Sequence, residues 1–113
     1  MKPDSKIYTL VTGANGFIGS HLFQRLLSEK KNIKFYSRTP IKRKIPGVIY
    51  LSKITKKSLE DVDVFIHLAA FVHNQKISFF SRRSYFDLVN FKLTMDLARL
   101  ADESGVKKFI FLI

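Results

Sequence analysis

Eight consecutive residues, Thr12-Gly13-Ala14-Asn15-Gly16-Phe17-Ile18-Gly19, have the types and spacing to hold a phosphate. An apolar run, Ile7-Tyr8-Thr9-Leu10-Val11, leads into them, and a helical pattern starts near Phe17. Strand, glycine-rich turn and helix is the context in which such a motif has mechanical meaning. Gly13 lets the chain turn sharply out of the strand. Gly16 has no Cβ, so a pyrophosphate can approach the backbone, and Gly19 lets the helix pack closely on the strand. The free N–H groups and positive dipole end of that helix then face the phosphates. The spacing is GxxGxxG rather than GxGxxG, so the general dinucleotide fingerprint fits loosely. A turn that needs three glycines for its geometry alone is the competing reading.

Other chemistry-bearing residues are less well placed. His21, His67 and His73 lack metal-ligand spacing and form no recognisable triad with a serine and a carboxylate. His21 reads as a helix residue and His67 as a strand-end residue satisfied by hydrogen bonding. Asp61 and Asp63 fit a loop and a strand edge better than an acid/base pair. Phe79, Phe80, Tyr85 and Phe86 read as packing for a lid and a long helix, with a dimer surface as the functional alternative.

The elements that must position the glycine turn follow from periodicity. A first strand spans about Lys6 to Val11, and a helix from Phe17 to Lys30 places Ile18, Leu22, Phe23 and Leu26 on a connected face. Lys30 and Lys31 suit the helix dipole, and Asn32 is the expected stop. Ile33 to Ser37 reads as a second strand, broken by Thr39-Pro40, and a basic loop runs to Pro46-Gly47. Val48 to Leu51 is a short third strand, and Lys56 to Glu60 a single helical turn. Val62 to Leu68 is nearly continuous in apolar residues, as a buried parallel strand should be. Phe71 to Ser84 reads as a loop or partly helical lid. From about Ser84, Phe86, Val89, Leu93, Leu97, Leu100 and Ala101 repeat at helical spacing until Gly105, where a left-handed cap is expected. Val106 to Ile113 is a fifth strand. Strands alternating with helices imply right-handed crossovers and a doubly wound parallel α/β sheet of order 3-2-1-4-5. Its ligand crevice lies at the carboxyl ends of strands one and four, where the order reverses.

At 113 residues there is room for one modest core, and the composition is that of a globular chain. No run approaches the ~20 apolar residues of a membrane helix. The N-terminal residues lead straight into the first strand and leave no room for a signal peptide, so the expected location is cytoplasmic. The absence of cysteine agrees with that. The net charge is +11, with Lys30, Lys31, Lys34, Arg38, Lys42, Arg43 and Lys44 gathered around one strand and its following loop. A nucleic-acid surface is one reading. Solvated lysine-rich loops are favoured, because no nucleic-acid-reading motif accompanies the charge.

The octet resembles the T-G-x-x-G-F-I-G signature of the extended short-chain dehydrogenase/reductases, the NAD(P)-dependent nucleotide-sugar epimerase/dehydratase family. The resemblance spans nearly the whole chain. Asp63-Val64-Phe65-Ile66-His67-Leu68-Ala69-Ala70 resembles the family's D-V-x-I-H-L-A-A strand, and Val72-His73 beyond it is most similar to the sugar-nucleotide 4-epimerases. Val89-Asn90, with Thr94 four positions on, resembles the V-N-x-x-x-T helix, and Gly105 to Leu112 the strand that leads to a catalytic serine. The resemblance implies a Rossmann domain holding NAD or NADP through Gly13, Asn15, Gly16, Phe17, Ile18, Gly19, Leu68, Ala69, Ala70 and Asn90. It also implies a nucleotide-sugar substrate oxidised at C4 in the complete enzyme.

Three departures accompany it. Where the family ends strand two with an acidic residue for the adenosine ribose, this chain reads Tyr36-Ser37-Arg38, and Arg38 could meet a 2′-phosphate instead. NAD and NADP therefore both stay open. An aspartate that follows strand three is replaced in Ser52-Lys53-Ile54. The family's catalytic serine and Tyr-x-x-x-Lys pair are missing: none of Tyr8, Tyr36, Tyr50 and Tyr85 has a lysine four residues on. The expectation is thus an incomplete cofactor-binding domain over 1–113, without the catalytic segment and the substrate domain. A non-catalytic truncated remnant or partner-dependent fragment is the alternative, a basic nucleic-acid binder the third reading, and a homodimer through the 86–104 helix a separate expectation about partners.

Overall fold

The computed structural model describes residues 6–13, 17–37, 41–68 and 81–112, with only the backbone for residue 17 and residues 81–90. Five strands form one parallel sheet: β1 (Tyr8–Thr12), β2 (Asn32–Tyr36), β3 (Ile49–Leu51), β4 (Val62–Leu68) and β5 (Lys108–Leu112). Their order is β3-β2-β1-β4-β5, as the alternation of elements implies. Two helices, α1 (Phe17–Ser28) and α2 (Ser81–Glu103), make crossovers, and a 3-10 turn (Lys57–Leu59) precedes β4.

The strand period of two splits the apolar residues between the two faces. Val11, Ile33, Phe35 and Leu68 meet Leu22, Phe23, Leu26 and Leu27 of α1. Leu10, Phe65 and Val62 meet Leu97 and Ala101 of α2, together with Leu59 of the 3-10 turn. An irregularity in the β1–β4 pairing sets Tyr8 against Val62 but Thr9 against Val64. The extra residue, Asp63, resets the alternation so that Val62 and Phe65 share one face.

Four details differ from the periodicity. Ile18 is not covered with its helical partners but is 56% exposed at the start of α1. The helix also stops earlier than Asn32, which opens β2. Lys30 takes φ 56°, and the N–H groups of Lys30 and Lys31 donate to the carbonyls of Leu27 and Leu26, both at 3.0 Å. That is a Schellman cap, made here on a lysine rather than a glycine. α2 starts at Ser81, three residues before the repeat becomes visible, and ends on the same motif with Gly105 at φ 81°, as expected. Lys34 does not belong with the solvated basic residues: it is buried, donates to the Ser58 carbonyl at 2.9 Å and pairs with Asp61. Its ammonium also lies 5.0 Å from the centre of the Tyr8 ring. Nothing in a local pattern shows this, because the partners are 24 and 27 residues away.

Candidate functional site

The carboxyl ends of β1 and β4 lie side by side at the point where the sheet order reverses, with Thr12 in register with His67. The next residues, Gly13 and Leu68, touch. Gly13 has φ 74°, and a Cβ placed on it would lie 2.1 Å from the Leu68 carbonyl oxygen. Glycine is therefore required twice over, by the left-handed turn and by the backbone packed against it. α1 begins four residues later at Phe17, with no acidic side chain in its first turn to compete for its N–H groups. Gly19 is buried, in keeping with close packing of this helix. The ends of β1 and β4 at the switch point, the left-handed Gly13 and the first turn of α1 four residues on are the described parts of an arrangement that suits a diphosphate.

One layer below, Thr12 and His67 are both buried and share a hydrogen bond of 2.6 Å between Oγ1 and Nδ1. The imidazole stacks on Phe111 at 5.6 Å and on Phe109 at 6.3 Å, and Phe65 meets it edge-on. Burial among these rings lowers the His67 pKa below its usual 6.5, so the imidazole is neutral at physiological pH. It serves as a hydrogen-bonded strut under the crevice, as a strand-end residue should. Asp61 is occupied by Lys34 and is no partner for Asp63 in acid/base chemistry. Among the described residues no group of three metal-ligating side chains comes together.

The structure brings Gly13 and Leu68 together and sets Phe17, Ile18 and Gly19 in the first turn of α1, four to six residues further on. Asn15, Gly16, Arg38, Ala69 and Ala70 lie outside the described residues. Asn90 lies on α2, with only its backbone described. Thr94, on the same helix, has a buried hydroxyl with no partner among the described residues. The Thr12–His67 strut was half legible: the sequence shows a histidine at a strand end, but its partner and stacking faces come from the neighbouring strands.

Comparisons with known proteins agree with this geometry. Among curated proteins, none matches by sequence. Among solved structures, the NAD-dependent NDP-hexosamine 5,6-dehydratase TunA of tunicamycin biosynthesis is 24% identical with a TM-score of 0.70, over 92% of this chain and 36% of that one. A short-chain dehydrogenase/reductase superfamily protein from Agrobacterium tumefaciens with bound NAD is 24% identical with a TM-score of 0.66, over 92% and 31%. The UDP-N-acetylglucosamine 4-epimerase of Bacillus cereus is 22% identical with a TM-score of 0.68, over 94% and 36%. The chain spans about a third of the length of each, and at these identities the likeness is one of fold. The profile of the NAD dependent epimerase/dehydratase family matches residues 9–113, and the cofactor class that goes with it is NAD(P). With nearly its whole length matched, the chain belongs to the NAD dependent epimerase/dehydratase family.

Proposed function

We propose that this chain is the dinucleotide-binding N-terminal portion of a nucleotide-sugar epimerase or dehydratase, and that it contributes binding rather than catalysis. The observation that carries the reading is the contact of Gly13 with the Leu68 carbonyl at the switch point of the sheet, four residues before α1. In the complete enzyme the nicotinamide supplies hydride transfer at sugar C4. This chain's residues hold the dinucleotide: the N–H groups of the Gly13–Gly19 turn and of α1 take the diphosphate. The small residues Ala69 and Ala70, which follow β4 in the sequence, and Asn90, within the α2 segment, are the further candidates for contact with it. The tyrosine and lysine that would move the proton are not among these 113 residues. A nucleotide sugar is accordingly a substrate of the complete enzyme and not a ligand of this portion alone. Among the described residues no helix is long and apolar enough to cross a membrane, and a cytoplasmic location suits the reading.

Arg38 directs the choice of cofactor. An arginine just beyond β2 favours a 2′-phosphate, whereas an acidic residue there would bind the free ribose hydroxyls. Calorimetric titration of the chain with NAD and NADP tests both points. Saturable binding of either is expected, with NADP preferred in the native chain and the preference reversed by Arg38→Asp. No heat with either nucleotide at millimolar concentration, from a chain that is folded by circular dichroism, would overturn the proposal.

A second reading is favoured by the apolar residues left uncovered. Phe91, Leu93 and Met95 are exposed on α2, and Ile110, Phe111 and Leu112 on the edge strand β5. The chain then works beside a second polypeptide, with a homodimer through the 86–104 helix as the simplest case. Sedimentation of the purified chain decides this: a monomer at all concentrations sets the homodimer aside.

A further inference from the structure

A cavity separate from the crevice opens on the flank of α1. Helices normally cover both faces of a parallel sheet, but the described part of the connection from β2 to β3 contains no helix. Beside α1 lies a cavity of about 240 Å³, lined among the described residues by side chains of α1, β2, β3 and residues 41–45. Aromatic rings form one of its walls. Phe23 meets Phe35 edge-on at 5.5 Å, and Phe35 meets Tyr50 edge-on at 5.7 Å. Leu27, Ile41 and Ile45 complete the apolar part of the described lining. The Tyr50 hydroxyl accepts the Ile45 N–H at 2.8 Å and so fastens the loop to the ring that it covers.

The charge at this cavity has one sign. Arg43 lines it, Lys44 holds its ammonium 5.8 Å from the centre of the Tyr50 ring, and none of the described lining residues is acidic. Ligand pockets for drug-sized molecules run to roughly 300–1,000 Å³, so this one suits one or two fused rings and not a dinucleotide. We propose that it binds a small planar aromatic anion, with the ring on the Phe35–Tyr50 wall and the acidic group toward Arg43. Stacking and dispersion supply affinity, and the guanidinium supplies orientation and selectivity for the anion. Its described lining shares no residue with the contact of Gly13 and Leu68 in the dinucleotide crevice.

The test uses 2-naphthoate as probe and the neutral 2-naphthalenemethanol as its control, followed by amide chemical shifts of the whole chain. The naphthoate should bind with a Kd on the order of 1 mM or tighter. Shifts should be confined to α1 and residues 41–50, and saturating NAD should leave them in place. Arg43→Ala should weaken the naphthoate about 5–10-fold and leave the alcohol unchanged, as expected for one charge-assisted contact. Gln24→Trp, at an exposed lining position, should fill the mouth and exclude both compounds. Absence of binding, displacement by NAD, or equal binding of acid and alcohol in all three proteins would overturn the proposal.

Discussion

The β1–β4 seam and the β5 edge use the same kinds of residue and meet opposite fates. At the seam Leu10, Val11 and Phe65 lose all contact with solvent, and each is covered from a face that this chain itself provides. On β5, Ile110 stays 44% exposed and Leu112 43%, although both sit in register with buried or half-buried residues of β4. The difference is one of cover, not of strand quality. α1 and α2 reach the middle of the sheet, whereas the face of β5 that carries Ile110 and Leu112 has no helix over it among the described residues. Among the described residues, β1 and β4 are thus covered on both faces and β5 is not.

The largest expected effect tests the seam. Phe65 is wholly buried between Leu10, Phe109 and the His67 ring, so Phe65→Ala removes a large side chain and leaves a cavity between rigid strands. Destabilisation of about 3–5 kcal/mol is expected in urea melts. That is a large share of the stability of a chain this size. If the loss were under about 1 kcal/mol, the seam would not be the centre of stability.

Gly13→Ala follows closely. Its Cβ must be accommodated at a left-handed φ and against a backbone carbonyl that cannot swing away. Conformational cost and overpacking together should come to roughly 2–5 kcal/mol. On the proposed function nucleotide binding should fall with it, because Gly13 leads the chain from β1 toward α1. An alanine variant with native stability and native binding would show that the close contact is not required.

His67 makes the seam sensitive to acid. Its folded pKa is lowered by burial, so the unfolded chain binds a proton more readily, and stability must rise with pH across the interval between the two values. The stability is complete above about pH 6.5, the unfolded value, and is lost as pH falls toward the lower folded one. Melting temperatures taken from pH 7.5 down to pH 5 should fall, and His67→Gln should flatten that part of the profile while keeping a side chain able to bond Thr12. Parallel profiles for the two proteins would remove the histidine from the account.

The two helix ends give a smaller contrast. α2 turns out of its helix on Gly105 and α1 on Lys30, with the same pattern of hydrogen bonds. Lysine carries a Cβ into the left-handed region and glycine does not. Lys30→Gly should therefore stabilise the chain by about 0.5–1 kcal/mol, whereas Gly105→Lys should cost about 1–2 kcal/mol. A lysine cap as stable as the glycine one would mean that its side chain recovers the strain.

What the sequence showed follows a physical divide. Features fixed by neighbours in the chain could be read: the glycine turn, the buried character of Val62 to Leu68, the stop at Gly105, and from these the sheet order. Features fixed by distant partners could not. Burial of Lys34 depends on Asp61 reaching it from the turn before β4. The exposure of Ile18 depends on what stands opposite the first turn of α1, and the extra residue at Asp63 shows only when β4 is paired with β1. Asn32 looked like a helix stop because asparagine favours such positions. Yet the cap was already complete at Lys30, leaving Asn32 to open β2 with its amide donating to the Ile7 carbonyl at 3.3 Å.

The smallest effect on stability belongs to the edge and completes the contrast. Ile110→Thr keeps a β-branched side chain in the strand and removes apolar surface that is nearly half in water, so stability should change by no more than about 0.5 kcal/mol. Solution behaviour should change more. An apolar strand at a sheet edge templates pairing with other chains, and a hydroxyl at its centre weakens that tendency. Light scattering of the variant should show less self-association than the native chain at equal concentration. If stability fell by 2 kcal/mol or more, Ile110 would be covered in the folded protein, and the edge and the seam would no longer differ in kind.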